Sequence, residues 1–165
     1  MPSSYSFDVV SEFDHQELVN AIDQLRREVD QRYDLKDSKT KIDILENELS
    51  IVSLSDMTIQ SVKDILMQKA TKRNLSLKIF DFQKIEPIGG NMVKQNILLK
   101  KGLSQENAKK LSKIIRDNIK KVTVSIQGES LRITGKNKDD LQSAINLLRE
   151  EENNIDIALQ FQNYR

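Results

Sequence analysis

The stretch IQGESLRITGKNKDDLQ, residues 126–142, decides how the chain is read. Leu131 and Ile133 alternate with Arg132 and Thr134, the period-2 pattern of a half-buried strand. Gly128-Glu129 is the turn of a hairpin with residues 122–127. Gly135 releases the second strand, and Asn137 caps a helix whose first turn carries Asp139 and Asp140. The glycine–lysine pair superficially looks like a phosphate loop. A Walker-type loop, however, has its spaced glycines ahead of the lysine and a Ser or Thr directly after it. Here Asn137 follows Lys136, and the two acids suit the helix dipole and repel phosphate. The stretch is therefore a hairpin handing over to a helix. Its outward row, Arg132, Thr134 and Lys136, supplies candidate ligand contacts.

The same order of elements occurs twice in the chain. In the second half a strand over residues 94–101 ends at the break Gly102. Ser104 caps a helix with Leu111, Ile114, Ile115 and Ile119 on its buried side. The strands 122–127 and 131–134 follow, then a helix with Leu141, Ala144, Ile145 and Leu148, then a strand over 157–164. In the first half a strand spans 5–13, with Tyr5, Phe7, Val9 and Phe13 facing one way. Leu18, Ile22, Leu25 and Val29 mark a helix over 15–32. Strands 41–46 and 49–54 flank Asn47-Glu48. Ser55 or Asp56 caps a second helix with Ile59, Val62, Leu66 and Ala70 in one stripe, and a strand covers 75–82. The segment KIEPIGGNM, residues 84–92, reads as a linker. Strand–helix–strand–strand–helix–strand, twice, is the ferredoxin-like order. The expected fold is α+β: two ferredoxin-like, RNP-like domains, each a four-stranded antiparallel sheet with two helices on one face.

Length and composition fit this: 165 residues, 31% charged and 38% hydrophobic, suit two small globular domains. Cysteine is absent and His15 is the only histidine. These exclude a disulfide framework, thiolate chemistry and any site built on several histidines, so no metal or cofactor is expected. The N-terminal residues lack the basic region and apolar core of a signal peptide, so none is expected, and no apolar run approaches membrane length. A net charge of +1 conceals an uneven distribution. Residues 1–34 carry eight acids and three bases, whereas residues 93–121 carry nine bases and two acids. The second block attracts phosphates, or it is simply a solvated lysine-rich helix face.

Helices on one face of each sheet leave the other face open. In the second half the open set is Thr123, Ser125 and Gln127, Arg132 and Thr134, then Gln160, Gln162 and Tyr164. In the first half it is Lys41, Asp43, Lys78, Phe80 and Phe82; the strand 94–101 adds Lys94, Asn96 and Lys100. An RRM-type RNA reader stacks bases on aromatic residues of its central strands. The segments ELSIVSLS and SLRITGK contain none, which disfavours that mode and leaves open binding through arginine, lysine and polar side chains. Arg32, Tyr33 and Lys36, at a helix end and in the loop beyond it, combine a guanidinium with a phenol ring. Together they clamp phosphate and stack on a base, or they merely satisfy the helix dipole.

Four blocks, SFDVVSE (6–12), RYDLKDSK (32–39), IQGESLRITGKNKDDLQ and LQFQNYR (159–165), resemble in order the bacterial YajQ family, over essentially the whole chain. Members of that family usually have an aromatic and a glycine after the Arg-Tyr-Asp; this chain has Leu35 and Asp37. The resemblance implies a non-enzymatic nucleotide-binding protein of the cytoplasm, and some members bind cyclic di-GMP and act through a transcription factor. It also implies RNP-like domains with exchanged first strands, one spanning 14–101 and the other 1–13 plus 102–165. The periodicity fits contiguous domains equally well. The nucleotide-binding candidates are then Arg32, Tyr33, Lys36, Lys94, Lys100, Arg132, Thr134 and Lys136. The alternative is an RNA-binding module for tRNA or single-stranded RNA, built on the basic block.

Overall fold

The computed structural model describes residues 4–165. Its elements are β1 (Tyr5–Val10), α1 (His15–Gln31), β2 (Lys41–Ile44), β3 (Glu48–Ser53), α2 (Asp56–Lys72), β4 (Phe80–Phe82), β5 (Glu86–Ile88), β6 (Met92–Leu99), α3 (Gln105–Asn118), β7 (Val122–Gln127), β8 (Ser130–Gly135), α4 (Lys138–Glu151) and β9 (Gln160–Gln162). Two antiparallel sheets and four helices result, compatible with two ferredoxin-like domains. Two units are formed, residues 13–100 and residues up to 12 together with 101–165.

In the unit of residues 13–100 the sheet order is β2-β3-β6-β4. The register sets Leu49 opposite Ile97, both on the helix side, and Ser50 opposite Asn96 on the other. Helix α1 buries Leu18, Ala21, Ile22, Leu25 and Val29, spaced for one face. Each fully buried Leu or Ile contributes about 1.5–3 kcal/mol relative to exposure. Asp14 Oδ1 accepts from the backbone N–H groups of Gln16 and Glu17 and starts α1. Ser55 starts α2 through a reciprocal capping box with Thr58.

The second unit has the order β7-β8-β1-β9, with β1 between β8 and β9. Phe7 lies opposite Ile133 and Val9 opposite Leu131. These side chains are fully buried against Leu111, Ile115, Ala144 and Leu148 of α3 and α4. Gly128, at φ +61°, opens the β7–β8 turn, a conformation glycine adopts without a Cβ penalty. Gly102 is more constrained still. Its φ is +86°, its N–H donates to the Ser11 carbonyl, and a Cβ there would lie 2.5 Å from Glu129 Oε2.

Several expectations are corrected. Residues 84–92 are not a linker. Glu86–Ile88 pairs with β6 across a turn in which Gly90 and Asn91 have positive φ, so this sheet has five strands, not four. Pro87 lies on that added outer strand, where its missing N–H is tolerated. Residues 75–82 are not one strand. Ser76 Oγ accepts from Lys78 N–H and starts a 3₁₀ turn over Leu77–Ile79, which resets the alternation. Phe80 is consequently buried, Phe82 packs partly against the same core, and Asp81 faces out. Lys78, Phe80 and Phe82 thus drop out of the expected open face.

The final strand is Gln160–Gln162 rather than 157–164. Asp8 is opposite Gln162, yet Ser6 exchanges two backbone hydrogen bonds with Arg165. One residue of β1 therefore matches two of the C-terminal segment, which is a β-bulge. Asn163 supplies it with φ +56°, a left-handed conformation asparagine tolerates. The bulge keeps Asn163 on the open face and turns Tyr164 to the helix side, where its ring stacks on Phe7 with centroids 6.0 Å apart. Tyr164 was expected on the open face; the extra residue reverses it. Finally, Asn137 precedes α4 as expected but its side chain accepts no capping bond, donating instead to Asp140 Oδ2.

Candidate functional site

The outward row of β8 begins at its centre with Arg132. The register places Arg132 between Ser125 of β7 and Asp8 of β1. Its Nε donates to Asp8 Oδ1 at 3.0 Å, while Asn163 Nδ2 donates to Asp8 Oδ2 at 2.8 Å. Asp8 is only 7% exposed, so both acceptor oxygens are used. The Arg132 hydrogen bond holds this carboxyl below its ordinary range against the opposing effect of burial, and Asn163 lowers it further. The middle of this open face is thereby neutralised.

The row then runs to the end of the sheet. Thr123, Thr134 and Ser6 align across β7, β8 and β1. Beyond them a cleft of about 520 Å³ is lined by Lys121, Thr123, Thr134, Lys136, Asn137 and Asp140, among others. Lys121 and Lys136 are exposed, and neither is engaged by a described residue. Two ammonium groups and two hydroxyls converge there, donors of the kind that hold phosphate oxygens. Asp140 is the opposing charge, and Asn137 donates to it at 3.3 Å.

In the other unit Arg32, Tyr33 and Lys36 share the loop after α1. Leu35 anchors that loop in the core, and Ser38 donates to the Leu35 carbonyl. A chain of hydroxyls from Ser38 through Thr40 and Ser53 to Thr58 fastens it to β3 and α2. Tyr33 is 89% exposed and Lys36 Nζ lies 5.3 Å from its ring centre, a cation–π pair. Arg32 is committed: Nε and one Nη donate to the two oxygens of Asp34 at 3.0 and 2.8 Å. That bidentate pair lowers the Asp34 carboxyl and raises the Arg32 guanidinium further. Phosphate must displace Asp34 to use this fork. Lys94 is half-buried on the open face of β6, directly across from Glu86. Lys100, just past β6, donates its backbone N–H to Ile79 and is half-buried.

The eight nominated residues thus fall into three local groups: the loop after α1, the strand β6, and the end of β8. Lys121 was not nominated for the cleft. Its sequence position just before β7 offers no hint that the antiparallel register brings it level with Lys136. On α3, Lys109, Lys113 and Arg116 are exposed at i, i+4 and i+7, forming a row in which none pairs with an acid among the described residues. Among the described residues no group of acids or histidines is placed to hold a metal, and no helix is long and apolar enough to cross a membrane.

The chain's relatives bear on these surfaces. A family model described as "Nucleotide-binding protein YajQ-like" matches residues 5–165. A protein of Prochlorococcus marinus strain NATL1A, named a nucleotide-binding protein, is 85% identical over 165 residues, covering both chains fully. One of Synechococcus sp. strain CC9605, named likewise, is 67% identical over the same full length. A third, from Prochlorococcus marinus strain MIT 9301, is 55% identical, again across the whole of both chains. The four sequence blocks, the two antiparallel sheets and this full-length match agree, and the chain belongs to the YajQ-like family.

Proposed function

We propose that this chain binds a nucleotide through its phosphates and does no chemistry on it, acting in the cytoplasm. The observation that carries this reading is the cleft where Lys121, Lys136, Thr123 and Thr134 converge. Lys136 and Lys121 supply positive charge, the threonines donate, and Arg132, steadied by Asp8, presents its outer guanidinium edge to the same face. Arg32, Tyr33, Lys36, Lys94 and Lys100 are the corresponding contacts of the other unit. The names carried by the relatives support the ligand class. In its finer form the ligand is cyclic di-GMP and the output passes to a transcription factor. Calorimetric titration with GTP, ATP and cyclic di-GMP tests this. Binding that a Lys121→Glu/Lys136→Glu double variant abolishes is the expected result. No heat from any of the three at millimolar ligand removes the proposal.

The row Lys109, Lys113 and Arg116, without acidic partners among the described residues, favours a second reading, an RNA-binding module held by backbone phosphates. It requires a gel shift with tRNA or single-stranded RNA that weakens steeply with salt. An absent or salt-insensitive shift eliminates it.

A further inference from the structure

On the helix side of the β7-β8-β1-β9 sheet, at the start of β1, lies a second cavity of about 420 Å³. Its walls include Tyr5, Lys138, Leu141, Ile145, Tyr164 and Arg165. Leu141 and Ile145 form an apolar floor contributed by α4. Tyr5 and Tyr164 are two of the three tyrosines in the chain. Lys138 Nζ sits 5.2 Å from the Tyr5 ring centre. Among the described residues no aspartate or glutamate lines this cavity.

Tyr164 is not there to complete the core. Its ring stacks on Phe7 with one face, yet the residue is 61% exposed. The chain holds it in place by specific means. Asn163 adopts a left-handed conformation, which costs a non-glycine residue about 1 kcal/mol. The Asn163 side chain is tied to Asp8 on one side, and the Arg165 backbone is tied twice to Ser6 on the other. An aromatic residue clamped between two anchors is preorganised to present its open side.

We propose that this cavity receives the planar base of the bound nucleotide, which stacks against Tyr164 and Tyr5 while Lys138 and Arg165 take the adjoining phosphate. An aromatic platform with cations at its rim and no aspartate or glutamate side chain among its described lining residues matches an anionic ligand with a flat ring. Lys138 is two residues from Lys136, and Tyr5 is next to Ser4, which lines the phosphate cleft. The base site therefore adjoins that cleft around the start of β1. This inference rests on the nucleotide-binding reading and specifies where the ring goes.

The test compares GTP and ATP with pyrophosphate, which has no ring, by calorimetry and by tyrosine fluorescence in a chain without tryptophan. Wild type is expected to bind the nucleotides with a change in tyrosine emission. Tyr164→Ala should weaken nucleotide binding about tenfold and leave pyrophosphate binding unchanged. Tyr164→Phe, which retains the ring, should restore it. Lys138→Gln, at an exposed position, should also weaken nucleotide binding, so the result does not depend on one packing change. If wild type binds nucleotide and both Tyr164→Ala and Lys138→Gln bind it equally well, this site is wrong while the nucleotide-binding reading stands. If wild type binds no nucleotide, both are wrong.

Discussion

Asp8→Asn is the substitution that most directly tests how the open face is held. It removes the charge but keeps the shape. In the wild type, Asp8 accepts from Arg132 and Asn163, at 3.0 and 2.8 Å. Hydrogen bonds to a charged group contribute about 1.5–3 kcal/mol each. Asparagine retains one acceptor and turns an N–H₂ toward a donor, so one bond is lost and the other loses its charge assistance. The Arg132 side chain is 36% exposed, and water recovers part of its share. A net loss of about 1–2 kcal/mol at pH 7 follows, read as a fall of roughly 1 M in the urea midpoint by far-ultraviolet circular dichroism. The pH dependence has a definite sign. The folded carboxyl is held below 3.8, so its contribution is fully present above that value and is lost as pH falls through the folded pKa. The gap between wild type and Asp8→Asn should therefore be constant from pH 7 to about 5 and narrow below 3.8. Equal midpoints at pH 7, or a gap that widens in acid, would refute this account of the face.

Gly102→Ala is expected to destabilise by about 1–3 kcal/mol in thermal melts, since alanine at φ +86° is strained and its Cβ meets the Glu129 carboxylate; pairing it with Glu129→Ala should relieve the steric part only. Ser55→Ala should cost about 1 kcal/mol in the same assay through loss of the capping box of α2. Reversing the charge of Lys109, Lys113 and Arg116 together should leave the melting temperature near that of wild type, because all three are exposed, and should abolish any RNA gel shift.

What could be read from sequence depended on range. Leu131 and Ile133 against Arg132 and Thr134 is a local alternation, and the strand, its turn and the face of each residue follow from it. The phase of residues 75–82 did not follow, because Ser76 inserts a 3₁₀ turn that a run of alternating apolar residues does not announce. Two adjacent glycines in KIEPIGGNM suit a linker as well as a hairpin, and only the partner strand decides between them. The bulge at Asn163 escaped for the same reason: one left-handed residue in QFQNYR leaves the composition unchanged yet moves Tyr164 to the other face. Among the site residues, the partner of Arg32 is only two positions away, yet the Arg32–Asp34 pair was not anticipated from RYDLKDSK. The partner of Arg132 is 124 residues away, and no local pattern could supply it.

That separation has a consequence for synthesis. Strand β1 leaves the ribosome well before its neighbours in the sheet, β8 and β9. Its alternating apolar side chains, Phe7 and Val9 among them, have no lasting partner until residues 130–135 are made, and its other edge stays open until residue 162. Residues 13–100 meanwhile contain every strand of their own sheet and can close as soon as β6 has emerged. Residues 13–100 can therefore assemble first, while β1 still lacks its strand partners. The pairing of β1 with β8 and β9 is of high sequence separation and correspondingly slow. During translation the unpaired edges of β1 are open to pairing with other chains.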